Sequence, residues 1–140
     1  MIIPPQKGLT YRAFTSKEKD STIATFIWDG TIAPGSEGND ACDYMVQEMG
    51  YFFKKHKPTS IILDFTLLWY TLGNRFMDVM STVFSTVRKE YVLILVSDSA
   101  DEMVLGLQGI LREFQAIDCI QRYPRESLDR IGDAEIPPAT

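Results

Sequence analysis

Hydrophobic positions follow two different periods along this chain, and each period predicts a different kind of element. Thr22 to Trp28 is rich in β-branched and aromatic residues and predicts a strand, and Leu9 to Phe14 predicts another strand before it. The polar stretch from Ser16 to Ser21 predicts a turn, so these two strands should form an antiparallel hairpin. Asp29 to Gly38 is rich in glycine, contains a proline and predicts a loop.

Helices and strands alternate through the rest of the sequence. Cys42 to Phe53 has the apolar spacing of a helix, which Asn39 or Asp40 can cap. The later elements are predicted as strands at Ser60–Phe65, Tyr91–Val96 and Ile117–Ile120, and as helices at Gly73–Lys89, Ser99–Phe114 and from Pro124 through Leu128 and Ile131. Such alternation predicts right-handed crossovers, and the hairpin makes the expected sheet mixed. The fold class is therefore α/β, with about four helices.

The composition indicates one globular domain. The chain has 140 residues, of which 45% are hydrophobic and 24% are charged, and this length suffices for a buried core. We expect the domain to span residues 9–132, with a flexible lead-in at 1–8 and a flexible tail at 133–140. The formal net charge of -5 disfavours nucleic acid as a partner. No signal peptide and no apolar run of roughly 20 residues is visible, so we expect no membrane insertion and a cytoplasmic location.

Side chains that could carry catalysis are few and scattered. Phe26 to Thr31 resembles the Asp-x-Asp-Gly-Thr motif of haloacid dehalogenase-type phosphatases, but Ile27 stands where that motif has its nucleophilic aspartate. His56 is the only histidine and follows two lysines at a predicted helix end, which favours a solvated ring. Cys42 and Cys119 lack a metal-binding spacing and should be buried, reduced thiols. We therefore expect no enzyme, no metal and no cofactor, with an enzyme of another α/β family as an alternative.

A turn with a recognisable pattern follows the third predicted strand. The strand Ile61 to Phe65 carries Asp64 near its end, and Tyr70-Thr71-Leu72-Gly73 occupies the turn before Asn74. This pattern resembles the STAS family of sulfate transporters and anti-sigma factor antagonists, in which an Asp-Ser-x-Gly-like turn opens a helix. The exit Ser97-Asp98-Ser99 and the order of elements over roughly residues 9–132 are also similar to that family. The resemblance implies a STAS-like fold and a protein that works by binding other proteins.

The resemblance also implies a way of regulating that binding through Thr71. This residue aligns with the serine that a partner kinase phosphorylates in anti-sigma factor antagonists. Threonine keeps the hydroxyl, whereas Tyr70 departs from the Asp that is usual in the bacterial regulators of the family. A phosphate on Thr71 would lie near helix-start amides at Gly73 and Asn74 and would add about -1.5 to -2 charge. Thr71 is therefore a phosphorylation candidate, with a simple helix cap as the alternative.

The ends of the strands indicate where a partner would bind. Two segments lie at or after the carboxyl ends of strands, where open α/β sheets place their sites. The predicted contact residues in these segments are Leu67, Leu68, Trp69, Tyr70, Leu72, Gly73, Asn74, Arg75, Ser97, Asp98 and Ser99. The expected partner is an anti-sigma factor or its kinase, another STAS protein, or a second copy in a homodimer. Inward packing of the segment from Thr66 to Tyr70 and a STAS module that senses a small apolar or nucleotide ligand remain the alternatives.

Overall fold

The computed structural model describes residues 2–33, 36–70, 75–98 and 100–123, which form one sheet and three α-helices. The strands are β1 (Leu9–Glu18), β2 (Ser21–Ile32), β3 (Ser60–Tyr70), β4 (Val92–Ser97) and β5 (Ile120–Tyr123). The helices are α1 (Ser36–His56), α2 (Phe76–Phe84) and α3 (Asp101–Arg112). Short 3-10 turns at Lys89–Tyr91 and Ile117–Cys119 lead into β4 and β5.

The sheet is mixed, which confirms the prediction from the hairpin and the alternating elements. The strands lie in the order β1-β2-β3-β4-β5, with β1 antiparallel to β2 and every later neighbour parallel. Each parallel crossover therefore moves one position in the same direction across the sheet. Because such crossovers are right-handed, α1, α2 and α3 lie together on one face of the sheet.

The hydrophobic core lies between that face and the helices. Alternate residues of β2 point into it, and Ala24, Phe26 and Trp28 are fully buried there. The same cluster continues through the matching positions of β3 and β4 and the apolar sides of the helices, with Ile61, Leu63, Phe65, Val92, Ile94, Val96, Met45, Met49, Phe53, Phe76, Val79, Met80, Met103, Leu107 and Leu111. Full burial of such side chains stabilises a fold by about 1.5–3 kcal/mol each, so this layer dominates the stability of the domain.

Tyr11 of β1 contacts both the core and helix α1. Its ring stacks on Phe26 with the centroids 5.3 Å apart, and its centroid lies 4.7 Å from that of Trp28. Its hydroxyl donates a hydrogen bond to Glu48 Oε1 of α1 at 2.8 Å. Burial and the Glu48 carboxylate raise the pKa of Tyr11 above its ordinary value, so the hydroxyl keeps its proton. β1 is therefore held to the core although it lies at the edge of the sheet.

The hairpin is longer and its turn is tighter than the sequence predicts. Pairing continues as far as Glu18 with Ser21, so the turn consists of Lys19 and Asp20. Lys19 adopts a φ of 54°, and a positive φ at the first central residue is what two-residue hairpin turns require. The prediction of a loop from Asp29 to Gly38 is wrong at its start, because β3 runs beside those residues and extends β2.

Two helices begin at residues other than the predicted ones. α1 begins at Ser36, earlier than the caps predicted at Asn39 or Asp40. α3 takes Ala100 as its N-cap and begins at Asp101, whereas the helix is predicted from Ser99, which lies outside the described residues. Helix ends fray and caps compete, which makes such boundaries the least predictable part of a helix.

The elements of the second half are shorter or shifted. α2 ends well before the predicted limit of Gly73–Lys89, and the hydroxyls of Ser85 and Thr86 then donate to the carbonyl oxygen of Thr82 at 3.1 and 2.8 Å. β5 follows rather than occupies the predicted strand Ile117–Ile120, because most of that segment is a 3-10 turn. The predicted closing helix lies outside the described residues.

Candidate functional site

The predicted contact segment is the end of a strand rather than a loop. β3 pairs with β2 as far as Tyr70, whereas its ladder with β4 ends at Asp64. Beyond that point β2 and β3 continue together as a two-stranded ribbon at the carboxyl edge of the parallel strands. This is the edge at which open α/β sheets place their sites.

A β-bulge in β3 separates this ribbon from the rest of the sheet. Ile27 pairs with Asp64, and Asp29 pairs with Leu67, so β3 contains one more residue than β2 over this interval. Asp64 stabilises the bulge, because its Oδ1 accepts hydrogen bonds from the Thr66 amide at 2.9 Å and from the Thr66 hydroxyl at 2.6 Å. The carboxylate therefore satisfies a strand amide at the point where the ladder to β4 ends.

The bulge reverses the direction in which the following side chains point. Side chains alternate along a strand, so one extra residue exchanges the two faces. Leu68 is 3% exposed and belongs to the helix-side core, whereas Leu67 is 49% and Trp69 56% exposed on the opposite face. Leu68 is therefore unavailable as a contact residue, and its place in the predicted set is corrected. Of these three side chains, one packs inward, which agrees with the alternative of inward packing, and two face outward.

Leu67 and Trp69 belong to a larger apolar surface on the sheet face opposite α1, α2 and α3, which we name the second face. No apolar side chain of this face belongs to the helix-side core cluster of the described residues. Its other apolar members are Ile23, Ile62, Leu93 and Leu95, together with Phe14 and Ile27, which are each only 4% exposed. Ile23, Ile62, Leu93 and Leu95 are half-buried on this face.

The remaining predicted contact residues fall into two groups. Arg75 is exposed before α2, and its guanidinium lies 3.5 Å from an Asp43 oxygen and 3.7 Å from an Asp78 oxygen. Ser97 ends β4 and is half-buried, and Asp98 follows it exposed. The other predicted residues, Thr71, Leu72, Gly73, Asn74 and Ser99, lie outside the described part of the chain, and nothing is described of the Tyr70 side chain.

The carboxyl edge of the sheet carries acidic side chains. Asp29 is exposed and pairs with Leu67 in the β2–β3 ladder, and Asp98 is exposed after β4. Neither carboxylate has an ion-pair partner within the described ranges. Asp101 at the start of α3 is paired with Arg122 of β5 at 2.8 Å. The apolar pair of Leu67 and Trp69 is therefore accompanied by negative charge.

The thiols are structural in character. Cys42 and Cys119 are buried and unpaired, which confirms their expected burial. Burial, then the neighbouring Asp43, raises the pKa of Cys42 to about 11, and burial likewise raises the pKa of Cys119. A protonated, buried thiol is a poor nucleophile and a poor metal ligand. Within the described residues no group of three or more His, Cys, Asp or Glu side chains is placed to hold a metal ion.

Two further features bear on the alternatives of ligand binding and catalysis. A cleft of about 220 Å³ lies at the amino ends of β4 and β5, away from the predicted site, and is lined by Lys89, Glu90, Val92, Gln115, Ala116, Asp118 and Cys119. It is smaller than the roughly 300–1,000 Å³ of ordinary ligand pockets. His56 is half-buried and its ring lies 4.3 Å from that of Phe52, so it is packed rather than fully solvated as predicted.

Sequence reasoning missed the bulge, although the chain carries a signal for it. An aspartate in the middle of an apolar strand with a threonine two residues later is the spacing of a local side-chain turn.

Among the described helices none is both long and apolar enough to span a bilayer. The chain matches no protein-family model, and a search of curated proteins found no match.

Proposed function

We propose that this chain is a non-catalytic protein-interaction module of regulatory signalling, of the STAS type and resembling a cytoplasmic anti-sigma factor antagonist. The observation that carries the proposal is the outward display of Leu67 and Trp69 at the carboxyl edge of the sheet. Tryptophan is enriched among the residues that dominate binding energy at protein interfaces. A bulge with its own hydrogen bonds holds both side chains outward, which supports a surface that is built rather than incidental.

The magnitude of the expected contribution follows from the exposed area. A tryptophan side chain offers about 250 Å² at most, so the 56% that remains exposed at Trp69 amounts to roughly 140 Å². At about 25 cal/mol per Å² its burial against a partner could supply up to about 3.5 kcal/mol. Ordering and desolvation reduce the net figure, and we expect Trp69→Ala to weaken binding by about 1–3 kcal/mol.

The charges at this edge indicate the chemistry of the partner. Asp29 and Asp98 lie at the carboxyl edge that Trp69 also occupies, and neither forms an ion pair with another residue that the structure describes. A partner that offers an apolar pocket bordered by lysine or arginine would complement both the apolar pair and the carboxylates. Opposite charges at the rim of such an interface raise the association rate and exclude acidic competitors.

The position of Thr71 supports a phosphorylation switch of this same surface. Thr71 follows the end of β3 and is two residues from Trp69 in sequence. A phosphate on Thr71 would add about -1.5 to -2 charge, which weakens binding where an apolar or acidic part of the partner faces Thr71 and strengthens it where lysine or arginine does. A switch that releases the partner therefore requires the apolar pocket, and not its basic border, to face Thr71. In that arrangement Thr71→Glu weakens the complex and Thr71→Ala preserves it.

The test is a capture experiment from the native host followed by a titration with the captured protein. The bait is wild type, Trp69→Ala or Tyr91→Ala, and Tyr91 is a matched control because it is an aromatic side chain with the same 56% exposure at the other end of β4. We expect Trp69→Ala to lose the partner, with a dissociation constant at least about fivefold higher, and Tyr91→Ala to retain it. Equal binding by all three folded baits would refute the proposed surface.

A further inference from the structure

β1 forms one edge of the sheet and is long for an edge strand. It has 10 residues and pairs with β2 alone among the described strands. An edge strand presents a row of unpaired amides and carbonyls, which can add a strand from another chain. Only some residues of β1 present such groups to the outside, because the others bond to β2.

A single hydrogen bond determines which residues face outward. The Thr31 amide donates to the Gly8 carbonyl oxygen at 3.0 Å, so in the antiparallel ladder the even-numbered residues of β1 exchange hydrogen bonds with β2. The odd-numbered residues turn their amides and carbonyls toward the outer edge. The Leu9 amide agrees with this assignment, because it donates to Gln6 at 3.2 Å instead of to β2. Tyr11, Ala13, Thr15 and Lys17 therefore present the outer backbone groups.

Two of the three charged side chains of β1 lie on the second face and have opposite charges. Arg12 and Glu18 are both exposed, and both are even-numbered, so they lie on the second face. Neither has an ion-pair partner within the described ranges. An arginine and a glutamate six positions apart on one strand can each face the other on an antiparallel copy of the same strand.

We propose that β1 pairs antiparallel with β1 of a second copy about a two-fold axis at Thr15, which joins the two sheets edge to edge. In this register Ala13 exchanges backbone hydrogen bonds with Lys17 of the second copy, and Thr15 with Thr15, so every pair uses outward-facing groups. Arg12 then lies opposite Glu18 of the second copy, and the symmetry repeats the contact. This inference goes beyond the proposed function and uses a different part of the sheet.

Charge complementarity favours this register over others, and it favours a second copy of the chain over another peptide as the binding partner of β1. An axis at Ala13 would place Arg12 opposite Phe14, and an axis at Phe14 would place it opposite Ser16. The axis at Thr15 alone among these three registers forms two arginine–glutamate pairs. An unrelated extended peptide would need its own matching charges at the same spacing, whereas a second copy supplies them by symmetry.

The test is the oligomeric state of the purified chain, measured by sedimentation velocity over a range of micromolar concentrations. We expect a wild-type dimer, and we expect Arg12→Glu or Glu18→Arg alone to raise the dimer dissociation constant at least about tenfold by placing like charges opposite each other twice. The double variant Arg12→Glu with Glu18→Arg restores the pairs and should return the constant to within about threefold of wild type. Lys54→Glu at the end of α1 makes the same change in charge elsewhere and should leave the dimer intact.

A second variant tests the backbone groups. Ala13→Pro removes an outward amide that β2 does not use, and it should dissociate the dimer while leaving the circular dichroism spectrum of the fold unchanged. If that variant fails to fold, the charge-reversal pair carries the test. A monomeric wild type across the concentration range, or a double variant that remains as weak as the single ones, would overturn the proposal. Trp69→Ala should not affect the dimer, so this result is independent of the partner-binding test.

Discussion

Replacing Asp64 with alanine should disturb the bulge that turns Leu67 and Trp69 outward. The change removes one oxygen that accepts two hydrogen bonds from Thr66, at 2.9 Å from its amide and 2.6 Å from its hydroxyl. Hydrogen bonds to a charged group contribute about 1.5–3 kcal/mol, and a buried amide left unpaired costs about 1–3 kcal/mol. Because both residues are half-buried, water recovers part of the loss. We expect the free energy of unfolding to fall by about 2–3 kcal/mol.

Two further variants separate the contributions of the two bonds. Asp64→Asn keeps an acceptor oxygen without the charge, and Thr66→Val keeps the amide bond without the hydroxyl, so each should lower the free energy of unfolding by about 1 kcal/mol. Asp64→Ala combined with Thr66→Val should cost less than the sum of the two single changes, because both remove the same hydroxyl bond.

The assay combines urea unfolding with acrylamide quenching of tryptophan fluorescence. The chain has two tryptophans, and Trp28 is fully buried while Trp69 is 56% exposed, so the quenchable emission of the folded protein comes from Trp69. If β3 loses the extra residue of the bulge from its pairing, Trp69 turns toward the helix side and quenching falls. An Asp64→Ala protein with wild-type stability and wild-type quenching would refute the role assigned to this carboxylate.

Two other predictions concern side chains on the helix side of the sheet, Cys42 and Tyr11. Burial, followed by the Asp43 charge, raises the pKa of Cys42 from 9.0 to about 11, so the folded state holds this proton more tightly than the unfolded state. The thiol proton contributes to stability below pH 9, and this contribution is lost as the pH rises toward 11. Between these pH values the urea midpoint of the wild type should fall more steeply than that of Cys42→Ala. Identical slopes for the two proteins would contradict this account. Tyr11→Phe removes the 2.8 Å bond to Glu48 and should lower the free energy of unfolding by about 1 kcal/mol. Tyr51→Phe, on a side chain that is 73% exposed, should have no effect, and equal unfolding curves for both variants would count against the bond.

The mixed sheet could be predicted because its signals are local. The polar residues between two β-rich segments indicate a hairpin, and the alternation of strand and helix patterns indicates parallel crossovers. The loop predicted at Asp29 and Gly30 is wrong because the signal that decides these positions is not local. Their composition favours a turn, but β3 supplies ladder partners for both, and a partner distant in sequence overrides local propensity.

The sequence predicts that the segment around Leu67 lies at the carboxyl end of a strand, which the structure confirms, but it does not predict the direction of the side chains there. The prediction placed a contact surface at the segment from Leu67 to Arg75 because carboxyl ends of strands host sites. Which of Leu67, Leu68 and Trp69 is exposed depends on the bulge, and that requires the register between β2 and β3. The second face escaped prediction for a related reason. The apolar run around Ile62 is compatible with helices on both faces, and the strand order decides that the described helices lie on one.

The extra residue in β3 determines which of the following side chains face outward. Deleting Thr66 would remove the extra residue, so Asp64, Phe65 and Leu67 would alternate regularly, Leu67 would stay opposite Asp29, and Leu67 and Trp69 would still face outward. Loss of the bulge without a deletion has the opposite effect, because Thr66 then pairs with Asp29 and Leu67 and Trp69 turn toward the helices. One unchanged sequence can therefore display two different sets of side chains at this edge, according to whether the bulge is present.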